Sequence, residues 1–233
     1  RSDSECVPRM IFGSNRSGDS PEPAAQKTRP IILGTVPVAI VRRIHNRRKG
    51  GGPIAHATSH SSNQRIMGVD PGLAATGYGI IESSSRSPSL VEAGVVRSRA
   101  QDPLEKRLFD LFAGATEIIG EFVPAIVVIE ELYSTYTHPR TAILMGHARG
   151  VIYIAAAARG IPVVSYASTR IKNSLTGHGR ASKEQVQKMV QQAFMLPQIP
   201  QPPDVADALA VALCHHNALL HEMNGRAGTR RRR

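Results

Sequence analysis

The sequence predicts an α/β domain: a mixed sheet of five strands flanked by helices in three layers. Three observations carry this. From Arg65 three short strand patterns follow one another across turn-rich links, as in an antiparallel meander. Two later strand patterns are each preceded by a helical one, and further helical patterns close the domain. Hydrophobic residues make up 41% of the 233 residues, aromatics are only 4% and Trp is absent, so the core is aliphatic.

The first strand is Arg65–Asp70, where Ile66, Met67 and Val69 form a buried run that Pro71 and Gly72 end. Thr76–Ile81 is the second strand and Leu90–Arg97 the third. Leu104, Leu108, Leu111, Phe112, Ala115, Ile118 and Ile119 recur at helical spacing over Pro103–Phe122, with Asp102 as the expected N-cap and Pro124 as the stop. Ala125–Glu130 is apolar on both faces and therefore central in its sheet. Thr141–Arg159 is helical, and Gly146 and Gly150 on it admit close approach by another element. Ile161–Tyr166 is the fifth strand, at an edge because Pro162 stands near its start. Ser168–Thr176 opens another helix, and Ser182 caps Lys183–Leu196. Asp204–Leu220 closes the fold, with Val205, Leu209, Ala212 and Leu213 on its buried side.

The flanks read differently. Residues 1–64 are rich in Ser, Pro, Gly and Asn and hold no sustained period, so they are expected to be a disordered basic leader, or an extension foreign to the domain, with no role in the fold. The run Ile31–Val41 is too short to span a bilayer and contains Pro37. Residues 65–223 form the folded domain, and 224–233 are expected to be a basic disordered tail. Two cysteines, Cys6 and Cys214, exclude a disulfide framework or a zinc site, and Cys214 reads as a buried thiol.

The net charge of +11 sits in the ends. Residues 1–64 hold 10 basic and 4 acidic residues, residues 224–233 hold 5 Arg and no acid, and residues 65–223 balance at 14 each. Within the domain, residues 132–203 carry 8 bases and 1 acid between two acidic segments. A basic middle of this kind suits phosphate contact, and equally a solvated surface.

Four carboxylates give the chemistry. Asp70 and Glu130 each end a buried strand, and parallel neighbours would set them side by side. Asp204 and Asp207 are three apart in the first turn of a helix, where the helix dipole favours negative charge. Each has an ordinary use alone, as turn former, cap or surface acid. Together they make an all-oxygen site for Mg²⁺ or Mn²⁺ rather than zinc. Two such ions roughly 3.5–4 Å apart are a common arrangement for phosphodiester hydrolysis. Lys183, at a helix start, can hold a phosphate, and Lys172 and Arg180 can contact flanking ones. Tyr133, three residues after Glu130, can stack on an unpaired base, with Tyr136 a weaker candidate. His147, His178, His215 and His216 are expected to be structural or exposed.

Gly68-Val69-Asp70-Pro71-Gly72, Thr76-Gly77-Tyr78-Gly79, Val128-Ile129-Glu130, Gly146-His147-Ala148-Arg149-Gly150 and Asp204-Val205-Ala206-Asp207-Ala208-Leu209-Ala210 together resemble the RuvC Holliday-junction resolvases, from about Arg65 to His216. The resemblance implies an RNase H-like fold, a homodimer, two Mg²⁺ ions replaceable by Mn²⁺, and paired nicks in four-way DNA junctions that leave a 5′-phosphate and a 3′-hydroxyl. It implies that Asp70, Glu130, Asp204 and Asp207 are the metal-binding acids and that Lys172 and Lys183 are the assisting lysines. It also implies the branch-migration proteins RuvA and RuvB as partners and a bacterial cytoplasmic setting, or an organelle if the leader is a transit peptide. The helix with Gly146 and Gly150 would build the dimer. The leader, Tyr133 in place of Phe, and a slightly longer loop over 134–140 depart from the pattern. Rival readings are an RNase H-like nuclease acting on hybrids or flaps, a non-catalytic junction binder, and an RNase H-like ATPase or sugar kinase. The last would need phosphate-cradling glycine loops that the sequence does not show.

Overall fold

The computed structural model describes residues 40–41, 64–132 and 139–230. Its strands are β1 (Ile40–Val41), β2 (Gln64–Asp70), β3 (Ala75–Ser83), β4 (Ser89–Arg97), β5 (Ile126–Glu130) and β6 (Val163–Tyr166). Its helices are α1 (Leu104–Phe122), α2 (Pro139–Ala157), α3 (Ser168–Thr176), α4 (Lys183–Ala193) and α5 (Pro203–Arg230). The sheet order is β1-β4-β3-β2-β5-β6. β2, β3 and β4 form the expected antiparallel meander, and β5 and β6 run parallel to β2. β5 is interior and β6 is an edge, as the apolar run and Pro162 predict.

Several element ends shift by one to three residues, as at α4, which stops at Ala193, and β6, which starts at Val163, and three further differences from the sequence reading follow. The five expected strands gain a two-residue sixth: Ile40 and Val41 pair with Val96 and Val95. The leader thus touches the fold through two β-branched residues that complete the edge of β4, too short a stretch to show a period. The last helix does not stop at Leu220 but runs to Arg230, so most of the expected disordered tail, 224–233, is helical. Gly225 and Gly228 weaken a helix without ending it. The start of α1 lies one residue later than expected, with Pro103 at the N-cap position, and Asp102 pairs with the Lys106 ammonium instead.

Side-chain alternation sorts the sheet into two faces. Met67, Val69, Ile80, Val127 and Ile129 point to α1 and α2, where Leu111, Ile118, Ala148 and Ile152 meet them. Ile66, Ile81 and Val128 point to the other face, against α3, α4 and α5. By the same parity Gly68, Asp70, Gly77, Gly79 and Glu130 belong to the α5 face. From Val205 to His216 every residue of α5 except Asp207 is buried, so this helix is central.

α5 reaches that position because the strands beneath it lack side chains. Gly68 pairs with Gly79, and Asp70 pairs with Gly77. A Cβ at Gly68 would lie 2.1 Å from the Ala208 carbonyl oxygen, and one at Gly77 2.0 Å from that of Asp204. At Gly79 it would meet the Leu209 Cδ2 atom at 2.5 Å. Helix backbone therefore rests on strand backbone. Gly68→Ala and Gly77→Ala are expected to cost about 2–3 kcal/mol each in urea unfolding, because carbonyl oxygens cannot rotate away. Gly79→Ala is expected to cost less, since the Leu209 side chain can move.

Candidate active site

β2 and β5 are parallel neighbours whose register ends at Val69 opposite Ile129. The next residues, Asp70 and Glu130, end both strands at the same edge and on the α5 face. Pro71 cannot prolong the ladder, so Asp70 stays at its end. Gly77, opposite Asp70 on β3, is the residue against which the Asp204 carbonyl packs. That contact delivers the start of α5, with Asp204 and Asp207, to Asp70. All four carboxylates are partly exposed on one side of the sheet.

The crowding has an electrostatic cost. Asp70 is pushed up to about 7, first by burial and then by Asp207, Glu130 and Asp204, with Lys183 opposing. Glu130 is also raised, chiefly by burial. A hydrogen bond with Ser168 works against that, Asp207 adds to it, and Lys172 and Lys183 relieve it. Lys183 donates to Asp207 at 2.7 Å, which holds its ammonium above the usual lysine range. At 54% exposure that pair adds little to stability. Its value is placement: a full capping box between Ser182 and Gln185 starts α4 so that Lys183 is its first residue.

An open cleft of ≈ 190 Å³ lies over this edge. Glu130, Ser168, Lys172, Lys183 and Asp207 supply its polar lining, and Ile171, Val186 and Ala210 its apolar floor. Both predicted lysines thus face the acids. Arg180 is exposed and is not part of this lining. Tyr133 and Tyr136 lie outside the described residues. Ser168 is a member that sequence reasoning misses: a serine opening a short helix 38 residues from Glu130 carries no sequence signal of contact with it. The histidines stay out of the cleft. His147 and His178 are exposed. The buried His215 shares a 2.8 Å hydrogen bond with the Tyr166 hydroxyl, and His216 one of 2.8 Å with Ser83 Oγ.

The family model described as Crossover junction endodeoxyribonuclease RuvC matches residues 66–215. The chain belongs to the RuvC family. Crossover junction endodeoxyribonuclease RuvC of Rhodopirellula baltica is 48% identical over 151 residues, spanning 65% of this chain and 85% of that protein. The structure of T. thermophilus RuvC in complex with Holliday junction substrate superposes with a TM-score of 0.65 at 32% identity, over 68% of this chain and 96% of that one. The yeast mitochondrial Holliday junction resolvase Ydc2, 14% identical over 71% of this chain and 83% of that one, shares the fold with a TM-score of 0.51. The α/β architecture is that of the RNase H-like RuvC proteins.

RuvC proteins are metal-dependent nucleases, and the residues here suit a hard divalent cation. The donors are carboxylate oxygens, and the charge they gather exceeds what Lys172 and Lys183 offset. Among the described residues no three His, Cys, Asp or Glu side chains are already closed into a metal-holding group. Like charges keep carboxylates apart, and Lys183 holds Asp207.

The raised Asp70 has a defined consequence for stability. Its folded value exceeds the unfolded one, so the folded state binds more protons between about pH 4 and 7 and loses stability as pH rises through that window. Asp70→Asn in EDTA at pH 8 is expected to be more stable than the parent by on the order of 1–2 kcal/mol. That is well below the ~4 kcal/mol that such a rise would carry without solvent screening. Urea titrations should show the advantage vanish near pH 4.

Proposed function

We propose that this protein is a Mg²⁺-dependent endonuclease that resolves four-way DNA junctions by paired symmetric nicks, in homologous recombination and repair. The observation that carries the proposal is the convergence of Asp70, Glu130, Asp204 and Asp207 from β2, β5 and α5 at one sheet edge. The likeness to T. thermophilus RuvC, solved with a Holliday junction substrate, supports the choice of DNA.

In this reading Asp70, Glu130, Asp204 and Asp207 would hold two Mg²⁺ ions, for which Mn²⁺ would substitute. Such a pair would supply an activated water and charge stabilisation at the leaving oxygen. The reaction adds a water oxygen to phosphorus and breaks the bond to O3′, leaving a 5′-phosphate and a 3′-hydroxyl. The chain's own residues orient the substrate. Lys183, at the cleft rim, holds the scissile phosphate or the charge that develops on it. Lys172 neutralises its neighbourhood beside Glu130. Arg180, exposed between α3 and α4, contacts a flanking phosphate, and Tyr133 stacks on a base at the junction centre.

Symmetric nicking calls for two copies, and α2 supplies a face for pairing. Ile143 and Ile154 on it are 60% and 62% exposed. A Cβ at Gly146 or Gly150 would meet nothing within 4 Å, so these glycines serve no packing inside the described chain. Residues at 143, 146, 150 and 154 share one helical face. We further place the nuclease domain on residues 65–223, extended by β1 and by the rest of α5 to Arg230, with RuvA and RuvB as partners and the bacterial cytoplasm as the setting. No described helix is long and apolar enough to cross a membrane.

Asp70→Asn is expected to lower junction cleavage in Mg²⁺ by more than about 10³-fold while gel-shift binding stays within a few-fold. Cleavage retained by that variant, or a preference of the parent for a hybrid or a flap over the four-way junction, rejects the reading. Ile154→Glu is expected to shift the protein from dimer to monomer in sedimentation, since it buries a charge in an apolar contact.

A further inference from the structure

We propose that Arg149 is a positioning residue for Glu130, standing in for a backbone donor that the sheet lacks. The proposal rests on the reading of Glu130 as a metal-binding acid. The peptide unit after Glu130 sets the problem. The Glu131 N–H donates to the Tyr166 carbonyl at 2.9 Å, so it points to β6. The carbonyl of Glu130 belongs to the same planar unit and points the other way, toward β2. In a parallel ladder that oxygen takes its hydrogen bond from the residue after its partner. Continued by one residue, the register makes Asp70 its partner, and the next residue is Pro71, which has no N–H. The ladder runs out of donors at the carbonyl of the residue that carries the carboxylate.

Arg149, half-buried on α2, supplies the donor. Its Nη1 donates to the Glu130 carbonyl oxygen. Its Nη2 donates to Ser165 Oγ at 2.7 Å and to the Tyr153 hydroxyl at 3.0 Å, and those two groups are bonded to each other at 2.8 Å. The guanidinium lies 5.3 Å from the centre of the Tyr153 ring. One rigid fork therefore ties the end of β5 to β6 and to α2. A carbonyl bond of this kind restrains ψ of Glu130 at the last residue of its strand. The carboxylate swings from that Cα, so the restraint sets where its oxygens stand relative to Asp70. A lysine would place a single point charge and lose the fork.

The test compares the full chain with Arg149→Met, Arg149→Lys and the pair Arg149→Met/Pro71→Ala, which restores a backbone N–H opposite the Glu130 carbonyl. Mn²⁺ affinity is read by electron paramagnetic resonance on protein without DNA, alongside kcat and KM for junction cleavage and the sedimentation coefficient. R149M is expected to weaken Mn²⁺ binding about tenfold and to lower kcat similarly, with KM and the oligomeric state unchanged. R149K is expected to fall between, and gives the same reading should R149M not fold. The double variant is expected to regain most of the affinity, which a residue that merely anchored α2 would not allow. Unchanged Mn²⁺ affinity in R149M, or in R149K where R149M does not fold, overturns the proposal, as does a double variant no better than R149M. Glu130→Gln separates the two levels: if it leaves Mn²⁺ affinity unchanged, the metal-site reading itself fails. If it weakens binding and R149M does not, only the role of Arg149 fails.

Discussion

Everything at this site depends on a contact between two backbones. The carbonyl oxygens of Asp204 and Ala208 occupy space that side chains at Gly77 and Gly68 would fill. An ordinary helix on a sheet is held off by two layers of side chains. Here the layer is missing along a cross-strand stripe of glycines, and α5 sinks to the sheet surface. Its N-terminal turn then stands level with the strand ends that carry Asp70 and Glu130. Glycine inside a strand weakens that strand. The loss is offset by the near-complete burial of α5 between Val205 and His216.

That geometry gathers charge at a cost which the rest of the fold must bear. Asp70 is mostly withdrawn from water, with three other carboxylates in reach, and both raise its pKa. The two aliphatic clusters on either face of the sheet are what hold the acids together in spite of it. Lys183 relieves part of the repulsion through Asp207, and the Ser168 contact and Lys172 relieve part at Glu130. Removing the charge of Asp70 should therefore favour folding and oppose catalysis, the usual direction of that exchange at a built site.

Much of this is legible in the residues alone. Asp70 and Glu130 each follow an unbroken apolar run, and the Pro71-Gly72 turn locates the strand end. Asp204 and Asp207 declare themselves by following Pro202-Pro203 at helical spacing. What is not legible depends on distance through space. Lys183 and Asp207 are 24 residues apart, and no local pattern announces their pairing. Ile40 and Val41 form only two ladder pairs, too few for alternation to register. The end of α5 escapes a sequence reading because Gly225 and Gly228 look like terminators, yet α5 runs through both to Arg230. Gly68, Gly77 and Gly79 are visible within motifs. Their joint meaning needs the register that sets Gly68 against Gly79 and Gly77 against Asp70.

The same register links the strand terminator to the fork on α2. A carboxylate that must project from a sheet edge needs its strand to stop there, and Pro71 stops β2 by withholding an N–H. The withheld donor is the one that the neighbouring strand's last carbonyl would have used. Terminating one strand thus loosens the adjacent acid, and the looseness must be removed from outside the sheet. Arg149 is placed to do so, from a helix whose other side carries the exposed Ile143 and Ile154. The stop at Asp70 and the clamp at Glu130 are two halves of one solution to holding paired acids at a sheet edge.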